Sequence, residues 1–205
     1  MADIFEYRGV SDLVYAEVTC DDNSSETNHG YVTGTVKPLA GVAEIGKTSN
    51  SSSEAHYYDN IPAVIVQSTG SDEITINASA IPLDVLADIT GQTYDSTTGM
   101  MIEGERAQKY FAIGYKTQAT NGDEYYVWRL KGSFAVPDQT NATKNDGTDT
   151  NGQTLTFTGI STTHKFTKTT KPAMAITVNS TLDLIASASA FFSTVQTPDT
   201  VTAKA

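Results

Sequence analysis

The sequence predicts a mainly β fold: a β-sandwich or barrel of antiparallel hairpins with one flanking α-helix. Two aromatic-rich runs, residues 109–117 and 124–131, flank Asn121 and Gly122, a pair that suits a tight reversal between strands. Their Tyr, Phe, Trp, Val and Ile residues fit a pleated, half-buried surface. Short alternating runs fill most of the remaining chain, and residues 82–90 show the clearest helical pattern. We therefore predict one β-rich domain over residues 1–205.

The central hairpin is predicted to bury one face only. Alternation gathers the large side chains on one face of each strand, namely Phe111, Ile113, Tyr115, Tyr126, Trp128 and Leu130. The opposite faces carry Lys116, Arg129 and Lys131 among small residues. We predict that this second side is solvated or contacts a partner. Pro137 ends the pairing, because proline has no N–H to donate to the ladder.

Before the helix, the chain alternates between predicted strands and polar connections. Residues 1–12 are predicted to form an N-terminal arm, and the predicted strands cover 13–19, 31–36, 39–45, 63–67 and 73–79. Residues 46–60 are polar and rich in Ser, which predicts a long loop of the kind that is usually functional or disordered. Tyr57 and Tyr58 at the end of this segment favour a loop that becomes ordered against a partner.

The predicted helix begins at Pro82, which suits a first helical position, and stops at Gly91, which suits the left-handed residue after a helix. Its apolar stripe predicts packing on the sheet; the stripe consists of Leu83, Leu86, Ala87 and Thr90, widened by Val85 and Ile89. Residues 94–100 are predicted to form a turn between short extended pieces.

After the central hairpin, the predictions concern a C-terminal segment at 171–205 and the residues leading to it. Residues 138–152 predict a polar loop, 153–159 a strand, and 163–170 an alternating stretch around Phe166. Apolar residues at 182–195 recur at helical spacing, and Pro198 ends that pattern.

The composition excludes some classes of partner. The formal net charge is −11 and the sequence pI is about 4.5, whereas proteins that grip nucleic acid cluster Lys and Arg against phosphates. An acidic chain is also unsuited to anionic membrane surfaces. Cys20 is the single cysteine, so no disulfide framework is predicted. The start of the sequence has no signal-peptide pattern, and we expect synthesis in a cytoplasm.

One short motif matches a nucleotide-binding pattern. Residues 41–48, GVAEIGKT, fit the phosphate-loop expression G-x-x-x-x-G-K-S/T. That chemistry requires a glycine-rich turn followed by a helix, yet Val42, Ala43 and Ile45 favour a strand, and the residues after Thr48 form helices poorly. The context therefore argues against a phosphate site.

No pattern predicts catalysis, a metal or a cofactor. His29, His56 and His164 are scattered through polar stretches, where solvated loop residues are the simpler interpretation. Asp146, Asp149 and Asn151 lack the order and closing Glu of a calcium loop. Glu103 and Glu105 could pair as acid and base, but nothing marks a cleft around them. We predict that the protein is not an enzyme.

A succession of phrases resembles one protein family. In order these are YRGVSDLVYA at 7–16, Tyr31 followed by LAGVAEI at 39–45, YYDN at 57–60, GQTYDSTTG at 91–99, YFAIGY at 110–115, WRLKGSF at 128–134, and FFSTV at 191–195 before Pro198. Taken together, the chain resembles the major tail proteins, the tail tube proteins of long-tailed, non-contractile bacteriophages of Gram-positive hosts. The likeness covers most of the chain and depends on the order of the phrases, since no single phrase is specific.

The resemblance implies a structural virion protein that assembles as hexameric rings stacked into a hollow tube. The implied partners are further copies of the chain, a tape-measure protein inside the tube, and tail terminator and distal tail proteins at its ends. Double-stranded DNA would pass through the lumen without specific binding. Six chains of net charge −11 give about −66 per ring, which repels phosphate. The implied location is the virion tail, with no membrane association.

The resemblance also implies positions for the contacts. Two hairpins would join the inner barrel, one from residues 31–45 with 63–67 and one from 109–117 with 124–133. The 46–60 loop would reach the next ring through Lys47, Glu54, His56, Tyr57, Tyr58 and Asp59. We predict lumen or inter-ring roles for Glu44, Asp72 and Glu73. The basic Lys116, Arg129 and Lys131 are candidates for pairing with carboxylates of a neighbouring subunit.

The alternative function is a β-module of the virion that binds carbohydrate or a host surface. Its sign would be a cluster of exposed aromatic residues on loops. Most aromatic residues here lie within predicted strands, with Tyr57 and Tyr58 as exceptions.

Overall fold

The computed structural model describes residues 4–22, 30–139, 152–180 and 188–202. The strands in these ranges are β1 Tyr7–Asp21, β2 Tyr31–Thr33, β3 Lys37–Pro38, β4 Val42–Ser49, β5 Ser52–Tyr58, β6 Ile61–Ser68, β7 Asp72–Ala78, β8 Thr93–Asp95, β9 Met100–Ile102, β10 Phe111–Ala119, β11 Glu124–Phe134, β12 Gln153–Gly159 and β13 Ala175–Asn179. The helices are α1 Leu83–Thr90 and the single turn α2 Ala188–Phe191.

Nine strands form one antiparallel sheet. Its main order is β2-β1-β10-β11-β12-β7-β4, with β3 added to β1 and β13 added to β11. The pairs β5–β6 and β8–β9 are separate hairpins. The prediction of a mainly β, antiparallel fold with one flanking helix is confirmed.

The central hairpin forms as predicted, but its second face is not solvated. β10 and β11 pair from Phe111 opposite Gly132 to Gln118 opposite Glu124. At the reversal Gly122 adopts φ 94°, a conformation that a glycine enters without steric cost, and its N–H donates to Ala119 O at 3.0 Å. Five consecutive residues at the start of β10 are buried, so both faces of this hairpin lie inside the protein. The alternation of large and small side chains predicted that each strand has a buried face. It did not reveal that a further layer of the protein covers the other side of the hairpin.

The first hydrophobic cluster lies in the curl of the sheet. It draws side chains from neighbouring strands around the sheet and from α1, including Leu13, Tyr15, Ile74, Ile76, Ile89, Phe111, Ile113, Leu155 and Phe157. The strands β1, β10, β11, β12 and β7 are neighbours in the sheet, and each contributes side chains to this one cluster. The sheet must therefore curve around the cluster. Val10 of β1 and Val42 of β4 both pack on this cluster, so the two ends of the curl come close together.

The second cluster covers the outside of the central hairpin. Its buried members are Ala16, Ala112, Tyr126, Trp128, Leu130, Phe166, Phe191, Phe192 and Val195. Tyr126 and Phe191 have ring centroids 5.3 Å apart, and the Trp128 indole N–H donates to Phe191 O at 3.4 Å. The C-terminal aromatic residues thus bury Tyr126, Trp128 and Leu130. The pairing of Ile113 with Arg129 places these side chains on the face of the hairpin opposite Ile113, so the two predicted apolar sets are buried in different clusters.

The helix α1 follows the predicted boundaries. Pro82 precedes it, and Gly91 takes the left-handed conformation at φ 70° that ends many helices. The N–H of Gln92 donates to Ala87 O at 2.9 Å, which closes the last turn. The buried side chains Leu86 and Ile89 pack on the first cluster, whereas Leu83 is half exposed rather than part of the buried stripe.

Several other predicted boundaries need correction. Residues 1–12 are not wholly an arm, because β1 begins at Tyr7 and pairs with β10 from there. Residues 46–60 are not a loop: they complete β4 and form β5. Within the alternating stretch at 163–170, the chain turns after Phe166, where the Thr170 N–H donates to Phe166 O at 2.7 Å. The predicted loop at 138–152 lies largely outside the described residues. Of the residues at helical spacing, 182–187 also lie outside them, and of the described 188–195 only Ala188–Phe191 is helical, as α2.

The predicted pairing of residues 31–45 with 63–67 is also wrong. β4 pairs with β7, and β6 pairs with β5. The prediction of a β8–β9 hairpin around residues 94–100 is confirmed, since Thr93–Asp95 pairs with Met100–Ile102.

A carboxylate at the end of α1 ties the helix to the sheet. Asp88 accepts hydrogen bonds from Lys37 Nζ at 2.8 Å, Lys109 Nζ at 3.1 Å and the Tyr15 hydroxyl at 3.0 Å. Burial by itself would raise the pKa of Asp88, but these three donors outweigh that effect and hold the pKa below its usual value of 3.8. The carboxylate form is therefore favoured in the folded state.

We expect Asp88→Asn to lower the free energy of unfolding by about 1–2 kcal/mol at pH 7. Because the folded pKa is depressed, this contribution is complete above pH 3.8 and disappears as pH falls through the folded pKa. Urea unfolding at pH 7 and pH 3, followed by Trp128 fluorescence, measures the difference. The exposed Glu105→Gln is the control and should change little. An equal loss at both pH values would contradict the assignment.

Candidate assembly surface

The most unusual feature of the structure is a hairpin that stands away from both clusters. It comprises β5 and β6 with their turn, residues 52–68, and every one of these residues is exposed. The turn residues Asp59 and Asn60 both adopt positive φ, at 49° and 62°. Two successive residues of this kind form the turn whose twist matches a two-stranded ribbon, and Asp and Asn tolerate it best after glycine. We call this element the projecting hairpin.

The projecting hairpin exposes apolar side chains that a monomer would normally bury. The exposed fractions are 66% for Tyr57, 63% for Tyr58, 64% for Ile61, 49% for Val64, 66% for Ile65 and 51% for Val66. Within the described residues, β5 and β6 pair only with each other, so both outer edges of the hairpin are open. Open edges and several exposed apolar side chains on one element are features of surfaces that bind another protein chain.

The root of the projecting hairpin is closely packed. The Asn50 N–H donates to Ser71 O at 3.0 Å, which extends the β4–β7 ladder to the start of the hairpin. Beyond it, the hydroxyl oxygens of Ser52 and Ser68 lie 2.6 Å apart. A Cβ on Gly70 would lie 1.8 Å from Asn50 O, so only glycine fits there. The hairpin therefore continues the β4–β7 ribbon through a constrained joint.

A buried ion-pair cluster lies directly beneath this joint. Asp72 is the first residue of β7, and its side chain is only 4% exposed. Its carboxylate contacts Arg129 Nη1 at 3.0 Å and Lys47 Nζ at 3.1 Å. Arg129 belongs to the central strand β11, so the cluster connects the hairpin root to the middle of the sheet. Arg129 Nε is buried without a hydrogen-bond partner among the described residues.

The three residues predicted to have lumen or inter-ring roles divide between two faces. Glu44 and Glu73 lie on the outer face of the β4–β7 pair, opposite Asn77 and Thr48 respectively, and both are exposed. Asp72 lies on the inner face and is buried. Its role as a lumen residue is therefore excluded by its burial, and its observed partners are basic groups of its own chain.

The outer face that carries Glu44 and Glu73 is polar throughout. Asn77 donates from its side-chain amide to Glu44 at 3.2 Å, and Thr154 of β12 donates to Asn77 Oδ1 at 2.9 Å. The other side chains of this face are Thr48, Thr75, Thr156 and Thr158. A surface of hydroxyls, an amide and two carboxylates offers no cation to a phosphate.

The basic residues of the central hairpin have partners within the chain. Lys116 Nζ lies 3.2 Å from Asp12 and 3.5 Å from Glu124, and Lys131 Nζ lies 2.5 Å from Asp21. Lys131 also lies 4.9 Å above the Tyr110 ring. Pairing of these residues with a neighbouring subunit stays a prediction.

The residues assigned to the inter-ring loop are located in strands. Lys47 belongs to β4 and to the buried cluster, whereas Glu54, His56, Tyr57 and Tyr58 are in β5 and Asp59 is in the turn. Sequence reasoning missed the apolar side of the same element, because residues 63–67 were predicted to be a strand that pairs with residues 31–45. The sequence Asp59-Asn60 favours a tight turn, and this feature could have predicted that the residues on either side form one hairpin.

The alternative chemical sites do not assemble. The phosphate-loop motif is the extended strand β4, so its N–H groups serve the ladder to β7 instead of wrapping an anion. His164 Nδ1 lies 2.9 Å from Asp22 O, its ring packs edge-on against Phe166, and His56 is in the projecting hairpin. Within the described residues no group of His, Cys, Asp and Glu could hold a metal ion. His29, Asp146, Asp149 and Asn151 lie outside those residues.

Comparisons with known proteins do not add a relative. No protein-family model and no curated protein matches the chain. Neither α1 nor α2, the helices of the described ranges, has the length and apolar content needed to cross a membrane.

Proposed function

We propose that this chain is a structural subunit of a bacteriophage tail tube, which self-assembles as stacked hexameric rings around a channel for DNA. The observation that carries the proposal is the projecting hairpin. It exposes aliphatic and aromatic side chains on a well-anchored two-stranded arm, as a subunit must if a neighbour is to bury them. Within this proposal, Glu54, His56, Tyr57, Tyr58 and Asp59 contact the next ring.

The polar outer face of β4, β7 and β12 supports an assignment to the lumen. Glu44 and Glu73 add negative charge to a surface otherwise made of threonine and asparagine. DNA moving along such a surface meets repulsion and no cation, so it passes without adhesion. Asp72 is buried and is not part of this surface. We propose instead that Asp72 positions the projecting hairpin.

The edges of the curled sheet support ring formation. In the described residues, β4 pairs on one side only, with β7, so its other edge can accept a strand of a neighbouring subunit. Closed rotational symmetry is the usual way in which repeated chains cover such edges. The proposed partners are the further copies of this chain, a tape-measure protein inside the tube, and terminator and distal tail proteins at its ends. The proposed location is the virion tail, and we propose no enzymatic activity and no cofactor.

Electron microscopy of the purified protein tests the proposal. We expect negative-stain images of concentrated protein to contain six-fold rings or hollow tubes, and light scattering after size exclusion to give a mass above that of the monomer. If the chain remains a monomer both alone and with the tail-tip and tape-measure proteins of the same phage, the proposal is wrong.

The alternative, a β-module that binds carbohydrate or a host surface, is favoured by one observation. Tyr57 and Tyr58 are adjacent and exposed at the tip of the projecting hairpin, as sugar-stacking residues are. The exposed aliphatic Ile61, which pairs with Tyr58, and Ile65 of the same strand favour a protein partner instead. Saturable binding of the monomer on a glycan array would support the alternative.

A further inference from the structure

A groove runs along β13 on the side of the protein that carries the second cluster. It has a volume of about 690 Å³ and lies between β13, the turn at residues 168–173 and the C-terminal Pro198 and Val201. Its walls are mainly apolar, with Pro172, Ala175 and Ile176 among them. Within the described residues β13 pairs only with β11. The groove is thus an apolar surface of a size that suits several aliphatic side chains.

The rim of the groove is basic. Lys168 and Lys171 line it, both are exposed, and neither forms an ion pair with another described residue. Lys168 Nζ donates to Val201 O at 3.3 Å. The carboxylate of Asp199 accepts the backbone N–H groups of Thr167 and Lys168 at 2.8 Å each and forms no ion pair with either lysine ammonium group. An acidic ligand would therefore find two ammonium groups available for pairing.

The projecting hairpin has the complementary chemistry. Its apolar side chains flank Glu54 and Asp59, which form no ion pair within the described residues and are both exposed. At about 3.3 Å per residue, β6 extends for about 26 Å and β13 for about 16 Å, so the hairpin is long enough to leave its own chain and cover β13.

We propose that the groove along β13 is the receptor for the projecting hairpin of a second copy of this chain. Aliphatic side chains of the hairpin fill the groove, while Glu54 and Asp59 pair with Lys168 and Lys171. The inference rests on the proposed function and specifies the contact through which neighbouring subunits recognise one another.

Charge distinguishes this receptor from another exposed apolar patch in the described residues. That patch surrounds the β8–β9 hairpin and α1, and its exposed members are Leu83, Tyr94, Met100 and Ile102. Its surroundings carry the carboxylates Asp84, Asp95, Glu103 and Glu105, with Arg106 as a cation. Acidic residues of a hairpin would be repelled there, whereas the lysines beside β13 attract them.

Site-directed cross-linking tests the contact directly. In a Cys20→Ser background, chains carrying Ile65→Cys are mixed with differently tagged chains carrying Thr177→Cys and treated with a short bismaleimide under assembly conditions. We expect a cross-linked product that contains both tags. The matched mixture of Ile65→Cys with Met100→Cys chains probes the acidic patch and should give little of the mixed product.

Charge reversal gives a second readout. The double variant Lys168→Glu/Lys171→Glu is expected to raise the protein concentration needed for half-maximal assembly about tenfold. Adding Glu54→Lys/Asp59→Lys to the same chain should restore assembly, because opposite charges then meet again. Arg106→Glu is the control and should have little effect. Urea unfolding of each variant verifies that the fold is retained.

The outcomes separate this inference from the proposed function. If wild-type rings or tubes form but Ile65→Cys couples to Met100→Cys, or to neither position, the groove is not the receptor and the tube proposal stands. If charge reversal leaves assembly unchanged, the inference is likewise overturned. If the wild-type chain never assembles, the proposed function itself fails.

Discussion

Replacing residues 51–70 with the dipeptide Asn-Gly is expected to abolish assembly while leaving the fold intact. The replacement removes residues that contribute to neither cluster, and all of them except the half-buried Gly70 are exposed. The Asn50–Ser71 pair remains as the flanking pair of a two-residue turn, for which Asn-Gly is well suited. We expect the free energy of unfolding to change by less than about 1 kcal/mol, because no core contact is lost.

Sedimentation velocity and urea unfolding measure these two effects separately. The expected result is a monomer at every concentration at which the wild-type chain forms rings. Met100→Ser/Ile102→Ser is the matched control, since it removes exposed apolar side chains from another part of the surface and should leave assembly unchanged. Normal rings from the shortened chain would contradict the role of the hairpin, and an unfolded product would contradict its independence from the core.

The second large effect is expected from the buried cluster at the root of the hairpin. Asp72→Ala leaves the Arg129 guanidinium buried without its counter-charge, and we expect a loss of about 3–5 kcal/mol in the free energy of unfolding. Lys47→Ala should cost far less, about 1 kcal/mol or below, because the Lys47 side chain is 43% exposed. Its ammonium group can be replaced by water.

A double-mutant cycle tests whether Asp72 and Arg129 act as a pair. The variant Asp72→Ala/Arg129→Met removes both charges, so it should cost less than the sum of the two single changes. Urea unfolding at constant pH gives all three free energies. If Asp72→Ala costs no more than Lys47→Ala, the cluster does not stabilise the root of the hairpin as we describe.

The two predictions are connected through the geometry of the chain. Asp72 begins the strand that leaves the projecting hairpin, and Arg129 belongs to the most central strand of the sheet. An arm with no packing of its own can hold a defined direction only if its root is rigid. A conservative Asp72→Asn change should therefore weaken assembly beyond its effect on stability, because the uncharged amide holds Arg129 less firmly.

Local features of the chain were predictable from the sequence. The β10–β11 hairpin, the bounds of α1 between Pro82 and Gly91, and the β8–β9 turn all depend on residues close together in sequence. The residue preferences of turns and the alternation of strands concern residues that are close together in sequence. The sequence alone is therefore sufficient to predict these elements. The assignment to tail tube proteins also came from the sequence, through the order of several phrases, and it remains a proposal.

The pairing of distant strands was not predictable in the same way. Residues 31–45 and 63–67 have the composition of strands, but alternation does not specify a partner. The polar composition of residues 46–60 was interpreted as a loop, although a two-stranded ribbon in solvent can carry Ser, Glu and His as well. An exposed hairpin has no buried face, so it lacks the periodic signal by which strands are recognised.

By itself, the sequence determined a mainly β antiparallel fold, one flanking helix and a strongly acidic chain. Only the tertiary structure decided which apolar residues are buried. Trp128 and Ile65 both belong to apolar runs, yet the first is completely buried under C-terminal aromatic residues and the second is 66% exposed on the projecting hairpin. Burial depends on what packs against a strand, and those partners lie far away in the sequence.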